Sequence, residues 1–225
     1  MVPINTTQRN SQQVITGLAA DSSSTRLAAA LTIGTHPDPG FVDALIERCA
    51  VEPDFYVRDM LTWALTRHAP ADTVPKLRAE LESERAQARS QALHSLSKIG
   101  DRGVWPSITR DLLFDTEDEV ARTAWRTAVA LVPESAAAGL AADLATQLAR
   151  GDRELRLSLS RSLAELGEVA EPVLRAAMTS PDPAVRAHAE ATERLRLDPE
   201  SGFYLAVDAA KRVAALGPEH EAAAC

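Results

Sequence analysis

Lysine and aromatic residues are both scarce in this chain. Only Lys76, Lys98 and Lys211 are lysines among 24 basic residues, and aromatics make up 4% of 225 positions. The lysine shortage reads as genome composition before function. The shortage of rings leaves a core of thin aliphatic layers, and the dominant Ala and Leu lose little on entering a helix. A basic excess is also missing. The formal net charge is −8, which argues against a general nucleic-acid binder, whose affinity comes mostly from phosphate contacts. Cysteine is limited to Cys49 and Cys225, without C-x-x-C spacing. A metal site or redox pair is therefore not expected, and no disulfide is demanded. The N-terminus has no basic segment followed by an apolar one, and no run is long enough to span a bilayer. The cytoplasm is the expected compartment. No segment alternates with period two, so no strand is expected.

What is present is a repeat. Arginines at positions 26, 58, 89, 122, 156 and 186 are spaced by 32, 31, 33, 34 and 30 residues, a period that signals a repeat architecture. Around four of them the same elements recur: Asp54 to Arg58, Asp118 to Arg122, Asp152 to Arg156 and Asp182 to Arg186. The copies at Arg26 and Arg89 are weaker. Apolar or small residues follow each Arg at +3, +6, +7 and +10, which is one face of a helix. The Asp stands at a helix start, where it caps amides and is expected to pair with the Arg at i,i+4. Gly100 and Gly167 fall where helices should stop, and Pro70, Pro133 and Pro199 follow others. A partner helix follows each copy, three of them opened by Val74-Pro75, Trp105-Pro106 and Glu171-Pro172. The reading predicts about thirteen helices: 8–20, 23–34, 39–51, 54–68, 71–83, 86–99, 102–113, 118–132, 135–150, 153–166, 168–179, 183–197 and 201–216. Residues 1–7 are expected to be disordered and 217–225 to be a flexible tail, at the two ends of a single array over 8–216. The first helix and the one at 201–216 are expected to cap it, the latter with Phe203, Ala206, Val207, Ala210 and Val213 on one face.

These starts, the small-residue ladder, the terminal Gly and the V-P-x-L opening resemble the HEAT-repeat family, in its short phycobilisome-lyase form, over roughly residues 20–198. The resemblance implies an all-α solenoid of about six helix pairs in a right-handed superhelix. It also implies that the Arg-bearing helices line the concave face, with positions −3, −2, +1, +2, +5 and +9 from the Arg free of the core. Repeat two then exposes Phe55, Tyr56, Asp59, Met60, Trp63 and Arg67. Repeat three offers Ser90, Gln91, His94 and Lys98 among others, repeat four Glu119, Val120, Thr123, Ala124 and Thr127, and repeat six His188. Over all six copies this face carries Arg67, Lys98, Arg153 and Arg161 against Asp59, Glu119, Glu154 and Glu165. It is close to neutral apart from the paired repeat arginines, a poor phosphate track.

Repeat two stands apart because three of the chain's aromatic residues and a Met fall on one helix, off its core stripe of Val57, Leu61, Ala64 and Leu65. Two readings stand. In one, Phe55, Tyr56, Met60 and Trp63 line a binding depression with Asp59 at its edge and Gln91 and His94 opposite. In the other, the rings fold over the inter-repeat seam or fill a thin core. The five histidines have no partner at a ligand spacing, so no metal is expected. No nucleotide-binding glycine loop or nucleophile elbow occurs, so no cofactor and no catalytic residue is assigned. An Asp59–His94 acid–base pair would lack a nucleophile.

The leading expectation is a non-catalytic scaffold that binds a protein or peptide on its concave face. The resemblance extends to bacterial HEAT proteins that work beside transcription regulators, which makes a regulatory partner an implied candidate. The runner-up is a HEAT-like alkylpurine DNA glycosylase, for which Trp63, Trp125 and Asp59 supply the residue types but the charge supplies the wrong field. A third reading is a small aromatic or cationic ligand held by Phe55, Tyr56, Trp63 and Asp59.

Overall fold

The computed structural model describes residues 6–198. In chain order the α-helices are α1 Thr6–Leu18, α2 Ser23–Thr35, α3 Val42–Cys49, α4 Phe55–Thr66, α5 Pro70–Glu80, α6 Ala86–Ile99, α7 Arg110–Leu113, α8 Asp118–Leu131, α9 Glu134–Ala145, α10 Arg153–Glu165, α11 Glu171–Ala177 and α12 Pro183–Leu197. No strand occurs among the described residues, and none of these helices is long and apolar enough to cross a membrane. The chain is all-α, with helices packed in neighbouring pairs. The expected helix at 201–216 and tail at 217–225 lie outside the described residues, as do residues 1–5. The first helix starts at Thr6, inside the stretch expected to be disordered.

Three expected helices, at 39–51, 102–113 and 168–179, open instead as 3₁₀ turns at Pro39–Phe41, Arg102–Ser107 and Gly167–Ala170. In the first two, an Asp side chain accepts from the amide two residues on, Asp38 from Gly40 and Asp101 from Gly103. Such local bonds compete with the helical ladder. Of the three prolines expected to open helices, only Pro172 does so. Pro75 falls inside α5, because Pro70 already takes its first turn, and Pro106 lies in a 3₁₀ turn.

The chain divides into two compact units, residues 1–136 and 137–225, with the boundary inside α9. In the first, α2, α4, α6 and α8 pack in succession, each with its partner α1, α3, α5 or α7. Hydrogen bonds fix the register of α6 on α8: Ser90 with Thr123 at 3.0 Å, and Thr127 Oγ1 donating to the Leu93 carbonyl at 3.1 Å. Partners that advance together along both helices make them parallel. Ile33, Leu45, Leu61, Leu65, Leu93, Leu96 and Trp125 form the buried layer between the helices. In the second unit α12 packs on α10, with the Ser160 and Thr192 hydroxyls bonded at 2.8 Å. His188 Nδ1 accepts from the Ala149 amide at 2.9 Å, which leaves its proton on Nε2, 3.0 Å from the Arg156 carbonyl. Burial pushes the His188 imidazole below its ordinary pKa.

The repeat Asp caps its helix as expected at three of the four copies, whereas Asp118 lies inside the first turn of α8, whose N-cap is Glu117. Asp54 accepts from the Tyr56 and Val57 amides, Asp152 from Leu155 and Asp182 from Ala184. The repeat Arg does something else. Arg26, Arg58, Arg89 and Arg186 each donate to the two backbone carbonyls six and five residues earlier, for example Arg58 to Glu52 and Pro53 at 2.9 and 2.8 Å. The expected i,i+4 pair with Asp is therefore corrected at Arg58 and Arg186. The guanidinium closes the turn that enters the helix, satisfying carbonyls that would otherwise lack donors.

Candidate functional site

Three successive helices of the first unit leave a groove of about 580 Å³ between their exposed stripes. From α4 it receives Phe55, Arg58 and Asp59. From α6 come Ser90, Gln91, His94, Ser97 and Lys98, residues three or four apart and so on one face. From α8 come Glu119, Arg122, Thr123, Arg126 and Thr127, spaced in the same way. The groove thus brings together Phe55, Asp59, Gln91 and His94 of the expected site.

Tyr56, Met60 and Trp63 do not line it. They form a stripe turned about 100° around α4 from Phe55 and Asp59. Trp63 rests instead on α2: a Cβ on Gly34 would lie 2.2 Å from the indole ring. The ring is still 37% exposed, so it covers a seam without entering the core. Tyr56 is 74% exposed and meets Phe55, itself 66% exposed, edge-on at 5.6 Å between ring centres. These two rings form an apolar lip at the α4 end of the groove.

Several positions expected to be free of the core are buried: Val120, Thr123, Ala124, Thr127, Ser90 and His188. At +1 and +5 the small hydroxyl residues bond across to the next helix, so these positions serve inter-repeat contact. Trp125 is fully buried, and its Nε1 donates to the Leu113 carbonyl at 2.8 Å.

The groove's charge includes two of the repeat arginines that the near-neutral count set aside, Arg58 and Arg122. Arg58, Lys98, Arg122 and Arg126 stand against Asp59 and Glu119. Arg122 departs from the repeat pattern, since its guanidinium bonds the Glu119 carboxylate instead of the preceding turn. His94 is pushed below its ordinary pKa by burial and by Lys98 and Arg126, with Asp59 acting in the opposite direction. Among the described residues no group of three His, Cys, Asp or Glu could hold a metal ion. The Cys49 thiol is pushed up to about 12 by burial, the opposite of an activated nucleophile.

One cluster that shapes the site was missed in the sequence. Glu52 is wholly buried at the turn entering α4 and accepts from Arg26 Nε and Nη2, each at 2.7 Å, from Arg48 Nε at 2.7 Å, and from the Asp54 amide at 2.9 Å. Gln87 of α6 donates to the Glu52 and Cys49 carbonyls and ties the next repeat to the same turn. Arg89 repeats the device on Asp115, whose Oδ1 also accepts from the Glu117 amide. In both cases the acid stands 26 residues after the Arg. Acids also follow Arg58 and Arg156 by 26 residues, at Glu84 and Asp182, without such a pair, so spacing alone does not single out the true partners.

Repeated helix pairs with parallel successive inner helices define an α-helical repeat protein. Residues 42–130, from α3 through most of α8, match the family of HEAT repeats. No curated protein matches it in sequence. Among solved structures it is similar to human deoxyhypusine hydroxylase in complex with glycerol, with 17% identity and a TM-score of 0.41, over 84% of this chain and 74% of that one.

Proposed function

We propose that the protein is an interaction scaffold that holds a segment of a protein partner in the groove across α4, α6 and α8. The observation that carries this reading is the exposed Phe55–Tyr56 pair at the groove's lip, in a chain with few aromatic residues. Large rings left in water beside a polar groove are what an interface uses as anchors. A regulatory partner fits the reading without being required by it.

The glycosylase alternative has less support. Trp125 is committed to the core and Trp63 to the α2 seam, so neither tryptophan faces the groove. A cationic ligand is disfavoured too, because the chain's own Arg58 already sits over the Phe55 ring at 6.0 Å.

The test is site-specific photocrosslinking in the native cell. A benzophenone residue at Gln91 should give a discrete protein adduct that the same residue at Glu47, exposed on α3, does not give. Identical adducts at both positions, or none at Gln91, would remove the groove as the binding site.

A further inference from the structure

We propose that the groove selects an acidic segment, about six extended residues long, with an apolar or aromatic side chain set against Phe55 and Tyr56. The inference rests on the groove being the partner site and adds the chemistry of the occupant.

Charge complementarity carries the argument. The groove has four permanent cations against two carboxylates, within a chain whose formal net charge is −8. One of the carboxylates, Glu119, is engaged by Arg122. Lys98 is exposed and makes no ion pair among the described residues. A groove with a net excess of one sign on a molecule of the other sign favours a ligand of the opposite charge.

Polar capacity points the same way. The Ser90 and Thr123 hydroxyls bond each other, and Thr127 donates to the Leu93 carbonyl, so these groups are engaged within the protein. The Lys98 ammonium and the Gln91 amide are left as donors at the groove surface, matched to carboxylates or main-chain carbonyls. Packed helices lie about 8–10 Å apart, so the three span roughly 20 Å, the reach of about six extended residues. A nucleic acid fits less well. Asp59 and Glu119 interrupt the basic surface, where a phosphate backbone needs an uninterrupted run of cations.

The probe is a fluorescein-labelled octapeptide of six Glu or Asp residues around a central Phe-Leu pair. Its binding to the full chain is followed by anisotropy in about 50 mM salt, where screening is modest. The acidic peptide should bind, and its lysine counterpart and a labelled single-stranded oligonucleotide should not. Lys98→Glu with Arg126→Glu should weaken it by about tenfold or more, and Phe55→Ala with Tyr56→Ala by about fivefold. If the charge-reversed protein melts early, Lys98→Gln with Arg126→Gln replaces it and should weaken binding in the same direction. Binding should also raise the His94 pKa, read from its ring-proton NMR titration, because carboxylates then stand beside it.

No binding by the acidic peptide, equal binding by wild type and charge-altered protein, or a preference for the lysine peptide or oligonucleotide would overturn the inference. The two readings fail separately. A Gln91 adduct that maps to a neutral or basic partner segment overturns the acidic preference and leaves the groove in place. Absence of the adduct removes the groove itself.

Discussion

Glu52 has no exposed surface, yet it carries a charge. Burial pushes its carboxyl up, but hydrogen bonds from Arg26, the Asp54 amide and Arg48 outweigh that and bring it down to about 2 from an ordinary 4.5. A carboxyl depressed on folding contributes stability above its unfolded pKa and loses it as pH falls through the folded one. The first unit should therefore lose stability progressively from about pH 4.5 toward pH 2, which circular dichroism melts across that range will show. Glu52→Gln keeps the shape and removes the charge, leaving the Arg26 and Arg48 guanidinium groups without their carboxylate. The expected loss is about 3 kcal/mol, and the acid dependence should flatten in the same variant. Unchanged acid stability in Glu52→Gln would mean the cluster is not the titrating unit. The cap at Asp54 was legible in the sequence because an N-cap acts within three residues. The Arg26–Glu52 pair was not, because it joins residues 26 apart and two other acids at the same spacing make no such bond.

Elements in a two-layer repeat meet through narrow seams, and their spacing is set by the smallest residues in them. Gly34 of α2 faces the Trp63 ring and the Ala64 Cα of α4, which a Cβ would meet at 2.2 and 3.0 Å. Gly34→Ala must push α2 and α4 apart or displace the indole. Overpacking of this kind typically costs 1–3 kcal/mol, so a loss of about 2 kcal/mol in thermal or urea unfolding is expected. Adding Trp63→Ala should restore only part of it, since the Ala64 backbone remains in the way. Full restoration would place the whole conflict on the ring. The periodicity that marked α4 as a core helix with a second apolar stripe was correct about the stripe. It could not assign Trp63 to a seam, because that assignment depends on a glycine 29 residues earlier, on another helix.

At the scale of the whole molecule, residues 1–136 form a compact unit that contains the buried Glu52 cluster and every residue lining the groove. Expressed alone, this segment should be helical, melt cooperatively and retain the Gln91 adduct. Nearest-neighbour contacts supply most of the stability of a repeat array. A fragment that is unfolded, or folded without the adduct, would show that the rest of the chain is needed. The sequence by itself determined the helices, their order and the repeat, because hydrophobic period, caps and breakers act over one or two turns. It also placed Phe55, Asp59, Gln91 and His94 on a common face. Tertiary structure alone decided what lies beside that face. It released Arg122 from the turn to bond Glu119, turned Met60 and Trp63 away from the groove, and buried Thr123 and Thr127 as inter-helix donors and acceptors. A count that set the repeat arginines aside gave a near-neutral surface, and the fold brings two of them, Arg58 and Arg122, into the groove beside Lys98 and Arg126. Charge is a property of residues, whereas a field depends on which residues the packing brings within a few ångströms of one another.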